Sequence, residues 1–401
     1  MRAARALYFT YFAALAAVLP FLSLYYESAG LTASQIGVLA SLMPLMMLVG
    51  APLWAEFGDA TGRYRLVLTA ALGLSIAFAL GLSLAGSFLP LALLVALFAF
   101  SIAPVMPLVD HAVLEALGDK SHLYGRQRIW GAYGWGPAAP AIGWVTDRFG
   151  IDWMFVFYAA VMALALVVAR RIPLATDGVR RRFGSGIGTM VRDVRWLAFL
   201  FAAFVGGISL SVTLNFLPLY MRAIGADRTL VGLGITVATV SELPVLAFAG
   251  TLLVRLGARR ILIASLLAYA LRLALYPLIT VPGWILAVQL LHGPTFGTMW
   301  IAGVAYAKRL APTGAGAAAQ GLFTGVAMGL SGFVGGLYGG FTYQWLGPSW
   351  MFGLAAGLAL AGAVLLAFAT RRDRERQARS VSLRGRHSKE NVDGEARDGD
   401  G

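Results

Sequence analysis

The chain has 401 residues, 59% of them hydrophobic and 13% charged, with a mean hydropathy of +0.75 and a formal net charge of +13. A soluble domain carries about a quarter charged residues, so this composition excludes an ordinary globular enzyme or binding module and indicates a polytopic membrane protein. With no cysteine there is no disulfide and no thiolate metal site, and the basic excess must be located before a nucleic acid is inferred.

A membrane helix needs about 20 mostly apolar residues. In chain order, twelve windows meet that need: 5–27, 36–55, 66–86, 89–117, 126–147, 151–170, 195–220, 231–254, 259–280, 283–307, 318–341 and 348–370. The first is too long and too poorly flanked for a cleaved signal peptide, so it is expected to stay as a helix. Basic residues fall in alternate connections. One side holds Arg2 and Arg5, Arg63 and Arg65, Lys120 and Arg126, a cluster from Arg170 to Arg195, then Arg255, Arg259 and Arg260, Lys308 and Arg309, and the tail from Arg371; the other holds only Arg148, Arg222 and Arg228. The positive-inside rule places both termini in the cytoplasm. The charge is thus topological, and no nucleic-acid partner is expected.

The 171–194 connection is the only long internal loop, so the expected organisation is a six-helix bundle over 1–170, a cytoplasmic linker over 171–194, and a second six-helix bundle over 195–370. Residues 371–401 are nearly devoid of apolar side chains and are expected to be a disordered cytoplasmic tail. "FLSLYYESAGLTASQIG" from Phe21 superposes without gaps on "FLPLYMRAIGADRTLVG" from Phe216, and the same shift of 195 carries Gly62 and Arg65 onto Gly257 and Arg260. "GIDWMF" from Gly150 matches "GPSWMF" from Gly347 at a shift of 197. Two six-helix halves in parallel repeat resemble the major facilitator superfamily, in which solute sits between the halves near mid-membrane. The implied class is an all-α polytopic membrane protein of that fold.

The loop "AEFGDATGRYR" resembles that superfamily's signature between helices two and three, with Asp59, Gly62, Arg63 and Arg65 as gating residues. Ala55 and Ala60 depart from the pattern. Its physical sense is a turn at Gly62 and an acid able to pair with bases across a cytoplasmic gate.

Asp110 and Arg128 each lie nine residues from Asp119, in the turn between two successive windows. At about 1.5 Å per residue both sit roughly 13 Å deep, near the middle of a core about 30 Å thick. Charges at that depth are costly, so the two are expected to neutralise each other beside a central cavity, with Trp135 two turns beyond Arg128 as a flat platform. "PLVDHAVLEALGDKSHLYGRQRIWGAYGW" from Pro107 resembles helices four and five of the lactose permease family. That likeness implies substrate binding by Asp110, Arg128 and Trp135, with Asp in place of the family's Glu.

Glu242 and Arg272 are each fifteen residues from Gly257, and Arg272 and His292 are each ten from Pro282, so the three are expected in one buried proton-coupling cluster. Glu242 is the expected proton carrier, since a neighbouring cation that moves can change its protonation. The lactose permease family has an acid, an arginine and a histidine on the corresponding helices. Its acid after the histidine falls here on Thr295 and its lysine before it on Gln289. "SELP", "QLLHGPTFG" and "AQGLFTGVAMGLSG" more closely resemble the phenylpropionate permease branch, a likeness extending over residues 7–370.

Glu27 reads as a solvated helix end, and His111 points about 100° away from Asp110. Gly321, Gly325, Gly329, Gly332, Gly336 and Gly340 repeat at three- to four-residue spacing that permits close helix contact. "GLSG" around Ser331 resembles an intramembrane serine protease motif, but twelve spans in two repeats do not suit that family, and no enzyme activity is expected. The resemblances imply a cofactor-free, monomeric, proton-coupled permease that takes up a small organic solute across a bacterial cytoplasmic (inner) membrane, with protons and lipid as its other partners. Overall likeness favours an aromatic acid; the Asp110, Arg128 and Trp135 set favours a sugar or nucleoside; a drug exporter is a third reading.

Overall fold

The computed structural model describes residues 1–172, 190 and 192–369, which form helices joined by short turns, with no strand among them. Most of the expected linker and the whole of the expected tail lie outside the described residues. Among the described residues, nine helical runs are long and apolar enough to cross a membrane: Arg2–Ser28, Ala33–Thr61, Tyr64–Leu82, Phe88–Lys120, Val194–Ala223, Arg228–Ala247, Ala258–Leu278, Gly316–Leu346 and Pro348–Ala369.

The three other expected spans are helical too, and each falls short for a physical reason. Tyr124–Phe149 has 26 residues, but its uncharged stretch 129–146 is rich in glycine and aromatic residues and holds Pro137 and Pro140, which keeps its hydropathy low. Trp153–Ala169 is apolar but has 17 residues, so it is only about 26 Å long. The third is broken into Ile285–Gln289, a π turn over Gly293–Gly297, and Thr298–Leu310. Prolines account for other breaks: Pro20 opens a 3₁₀ turn over Leu19–Phe21, and Pro244 precedes the split between Arg228–Ala247 and Ala249–Leu256.

Every residue with positive φ among the described residues is a glycine, and the eight fall into four pairs: Gly30 with Gly225, Gly62 with Gly257, Gly118 with Gly314, and Gly150 with Gly347. The offsets, 195 to 197, match the sequence repeat. The chain therefore takes a positive φ, which glycine alone adopts freely, at matching points of its first and second copies.

Contact between the copies runs mainly along two helix pairs, Ala33–Thr61 with Ser331–Leu346 and Tyr124–Phe149 with Arg228–Ala247. In lipid there is no hydrophobic drive between helices, so close approach through small residues does the holding. Gly37 lies on the backbone of Gly336 and Gly340, and in the matching place Gly232 lies on Ala139 and Pro140; neither leaves room for a Cβ. Thr236 adds a 2.7 Å hydrogen bond to the Gly136 carbonyl.

At this same end each copy caps a helix of the other. The Asp147 carboxylate accepts from the Arg228 and Thr229 amides at 3.0 and 2.8 Å and from the Thr229 hydroxyl at 2.8 Å. Gln344, its counterpart at a shift of 197, accepts from the Ala33 amide at 2.9 Å. Both caps satisfy amides that the first turn of a helix leaves without partners. Glycine contacts and caps together make this the closed end of the bundle.

Candidate functional site

Beyond the closed end lies a cavity of about 620 Å³, in the range of small-molecule sites. Arg128, Trp135, Glu242, Arg272 and His292 all line it, so the expected binding and coupling residues share one space. Asp110 stands behind Arg128, with its carboxylate 3.5 Å from the nearest guanidinium nitrogen.

The Arg128 end is built on a triangle of helices. Tyr8 donates to Asp110 at 2.6 Å, and this fixes the carboxylate. The Arg128 guanidinium lies 5.1 Å from the centre of the Phe12 ring and 5.5 Å from that of Tyr8, within cation–π reach. Phe12 in turn meets Trp135 edge to face at 6.5 Å. Only Nη1 of Arg128 has partners among the described residues, Asp110 and Met106. Its remaining donors, on a side chain that is 39% exposed, are open to the cavity. An open fork of this kind accepts a carboxylate through two parallel hydrogen bonds.

The opposite wall centres on Arg272, which is 0% exposed. It donates to Tyr276 at 2.8 Å, to Thr295 at 3.1 Å, and to Gln289, and it faces His292 Nδ1 at 2.9 Å. His292 Nε2 lies 2.7 Å from the Glu242 carboxylate. A guanidinium has donors only, so His292 Nδ1 accepts, and the ring's single hydrogen sits on Nε2 and points to Glu242. Glu242 and Arg272 thus meet through the imidazole rather than directly, so within the one cluster His292 is the middle member. The close approach of these helices rests on Gly293: its amide donates to the Ser241 hydroxyl at 2.9 Å, and the Ser241 carbonyl occupies the place of a Cβ. From His292, aromatic rings continue through Phe296 and Trp300 at one-turn intervals.

Residues 2–354 match the model of the MFS_1 like family. The chain belongs to that family. It is accordingly a membrane permease of the major facilitator superfamily. This MFS_1-like chain is 29% identical over 377 residues to the maltose permease of Geobacillus stearothermophilus, covering 92% of this chain and 94% of that protein. It is 26% identical over 359 residues to a "Probable 3-phenylpropionic acid transporter" of Escherichia coli (strain K12), covering 87% and 93%. In fold it is similar to the crystal structure of the nucleoside transporter NupG, with a TM-score of 0.79 and 16% identity over 92% of this chain and 98% of that one.

The MFS_1-like signature loop makes local contacts here. Gly62 ends its helix in the left-handed conformation, as the turn requires. Asp59 accepts from Tyr64 at 2.5 Å and Arg65 donates to the carbonyl of Arg170 at 2.8 Å, all within the first copy. The expected pairing of Asp59 across a gate is not among these contacts. Ser331, the serine of "GLSG", is 0% exposed and donates to the Ala327 carbonyl at 2.7 Å. His111 lies 3.9 Å from Glu115, away from the cavity.

Sequence reasoning missed Tyr8, Phe12 and Tyr276, and treated Gln289 and Thr295 only as places where a family's charges are lost. Tyr276 follows Arg272 by one turn, which is a readable signal; the Tyr8 contact spans 102 residues and has none. Asp147 and Gln344 were also missed, although the repeat sets them in matching positions.

Proposed function

We propose that this permease carries out proton-coupled uptake of a small aromatic carboxylate by alternating access, with both termini cytoplasmic and twelve helices crossing a bacterial inner membrane. The observation that carries the reading is the open Arg128 fork, set over Phe12, which in turn meets Trp135, on a mostly apolar cavity wall. A carboxylate takes the fork and its ring takes the apolar wall. A hydroxyl-rich solute would need many more free partners. Two hydroxyls of the wall are already committed, Thr213 to the Ser209 carbonyl at 2.8 Å and Thr239 to the Ile235 carbonyl at 2.9 Å. The 29% identity to a maltose permease, together with Trp135 beside Arg128, supports sugar as the second reading.

In this reading the closed end faces outside and the structure is the cytoplasm-facing state. Glu242 carries the proton. Protonation removes the charge that holds the His292 Nε2 hydrogen and leaves Arg272 with neutral neighbours only, so proton occupancy is felt by the helices that bear these three groups.

The test is external pH in lightly buffered, de-energised cells producing the protein. Adding 3-phenylpropionate should make the medium more alkaline, and Glu242→Gln cells should not respond. Alkalinisation by maltose instead would establish the sugar reading, and silence with both, with the protein confirmed in the membrane, would refute proton symport of either.

A further inference from the structure

A second cavity, of about 440 Å³, adjoins the first and shares Trp135, Leu210, Leu214, Ile235 and Met328 with it. It extends toward the closed end, between Leu22–Ser28 of the first copy and Val194–Ala223 of the second, two helices that pack together. Its wall is apolar, with Met43, Pro44 and Met47 on one side. Besides Ser211 and Tyr26, whose buried hydroxyl has no partner among the described residues, two polar groups stand in that wall. Ser23 is 5% exposed, and its hydroxyl makes no hydrogen bond among the described residues. Asn215 donates its amide hydrogens to the Ser211 carbonyl at 2.9 Å and the Ser211 hydroxyl at 3.4 Å, which orients the amide and leaves Oδ1 without a donor among the described residues.

Resting on the reading of Arg128 as a carboxylate site, we propose that this second chamber is a subsite for a hydroxylated second ring of the same solute, so that the transported class is extended, hydroxylated aromatic carboxylates. Ser23 is buried and Asn215 half-buried, and the spare hydrogen-bonding capacity of both, set in an apolar wall, favours a ligand that supplies a partner. A phenolic hydroxyl has the chemistry for either, since it can donate to Asn215 Oδ1 or accept from Ser23. The apolar wall takes the ring and rejects a second sugar, whose several hydroxyls would be left unpaired there. Length fits two rings rather than one. Ser23 follows Phe12, the neighbour of Arg128, by eleven residues, or roughly 17 Å of helix, part of which the arginine side chain spans. Trp135 stands between the chambers and touches both parts of such a solute.

The experiment measures binding to the purified full-length protein by isothermal titration with four probes: biphenyl-4-ol, biphenyl, 3-phenylpropionate and 3-(4'-hydroxybiphenyl-4-yl)propanoate. Wild type should bind biphenyl-4-ol about tenfold more tightly than biphenyl, a ratio expected for a hydroxyl that meets waiting partners. Ser23→Ala and Asn215→Leu should each bring that ratio close to one, with melting temperatures without ligand showing that both variants fold. The two-ring carboxylate should bind more tightly than either single-chamber probe. Equal binding of the phenol and biphenyl by wild type, or a ratio unchanged in both variants, would overturn the subsite. Failure of 3-phenylpropionate to bind while the phenol ratio holds would instead remove the carboxylate reading and leave the chamber as a phenol site.

Discussion

Glu242 and Arg272 are joined through one neutral imidazole: His292 Nε2 lies 2.7 Å from the acid and His292 Nδ1 lies 2.9 Å from the guanidinium. The order acid, imidazole, guanidinium sets the sign of each perturbation below.

His292 relays the Glu242 charge to Arg272 by geometry. His292→Phe keeps a ring and deletes both hydrogen bonds, so solute exchange down its gradient should persist while accumulation driven by an imposed pH gradient falls at least tenfold. Counterflow and pH-driven uptake in proteoliposomes separate the two. Equal loss of both would show that His292 serves binding instead.

Arg128 grips through a planar fork, which a lysine does not reproduce. Arg128→Lys should raise KM for 3-phenylpropionate by about tenfold or more, equivalent to one charge-assisted hydrogen bond. Membrane abundance should match wild type, since the side chain is 39% exposed and holds Asp110 only at 3.5 Å. Unchanged KM would remove Arg128 from the site.

Arg272 satisfies Tyr276, Gln289, Thr295 and His292 at once, from a position with 0% exposure. Arg272→Met leaves these buried groups without their donor, at about 1–3 kcal/mol for each group left unsatisfied. A fall of several degrees in the melting temperature of the detergent-purified protein is the expected outcome. A melting temperature equal to wild type would mean that the network contributes nothing to stability.

The closed end depends on the absence of a side chain at Gly232, whose Cβ would meet the Ala139 carbonyl and Pro140. Gly232→Leu should wedge that end apart. Because the natural chain has no cysteine, Ser23→Cys gives a single reporter beside the second cavity. In whole cells an impermeant maleimide should label it several times faster when Gly232→Leu is also present. Equal rates would mean that this contact does not hold the gate.

Asp147 caps in trans, and an asparagine can keep the acceptor while an alanine cannot. Loss of a cap is worth about 1 kcal/mol, or roughly a fivefold shift in population. Asp147→Ala should therefore speed outside labelling of the same reporter about fivefold, and Asp147→Asn should leave it near wild type. A matching increase in both would assign the effect to the 3.9 Å charge pair with Arg228 instead of the cap.

Much of this architecture is legible in the sequence because lipid imposes simple rules. Apolar length marks the helices, and glycine marks the turns where φ is positive, as at Gly30 and Gly225. Counting residues from shared turns brought Arg128, Glu242, Arg272 and His292 to one cavity, because depth along a helix is nearly linear in residue number. Counting gives depth but not rotation. Asp110 was at the right level yet faces Tyr8 and Arg128 rather than the cavity, and His292 came between Glu242 and Arg272. That Asn215 and Ser23 line one cavity was out of reach for the same reason, since it depends on how two helices from different copies are turned toward each other.

The reciprocal caps at Asp147 and Gln344 bear on turnover. A carrier cycles rapidly only if its two faces differ little in free energy. When the outer end parts, the Arg228, Thr229 and Ala33 amides exchange a protein acceptor for water, an exchange that costs only about 1 kcal/mol for each cap. Such caps fix where the copies meet without fixing how long they stay together, so the choice of face is left to the proton and the solute.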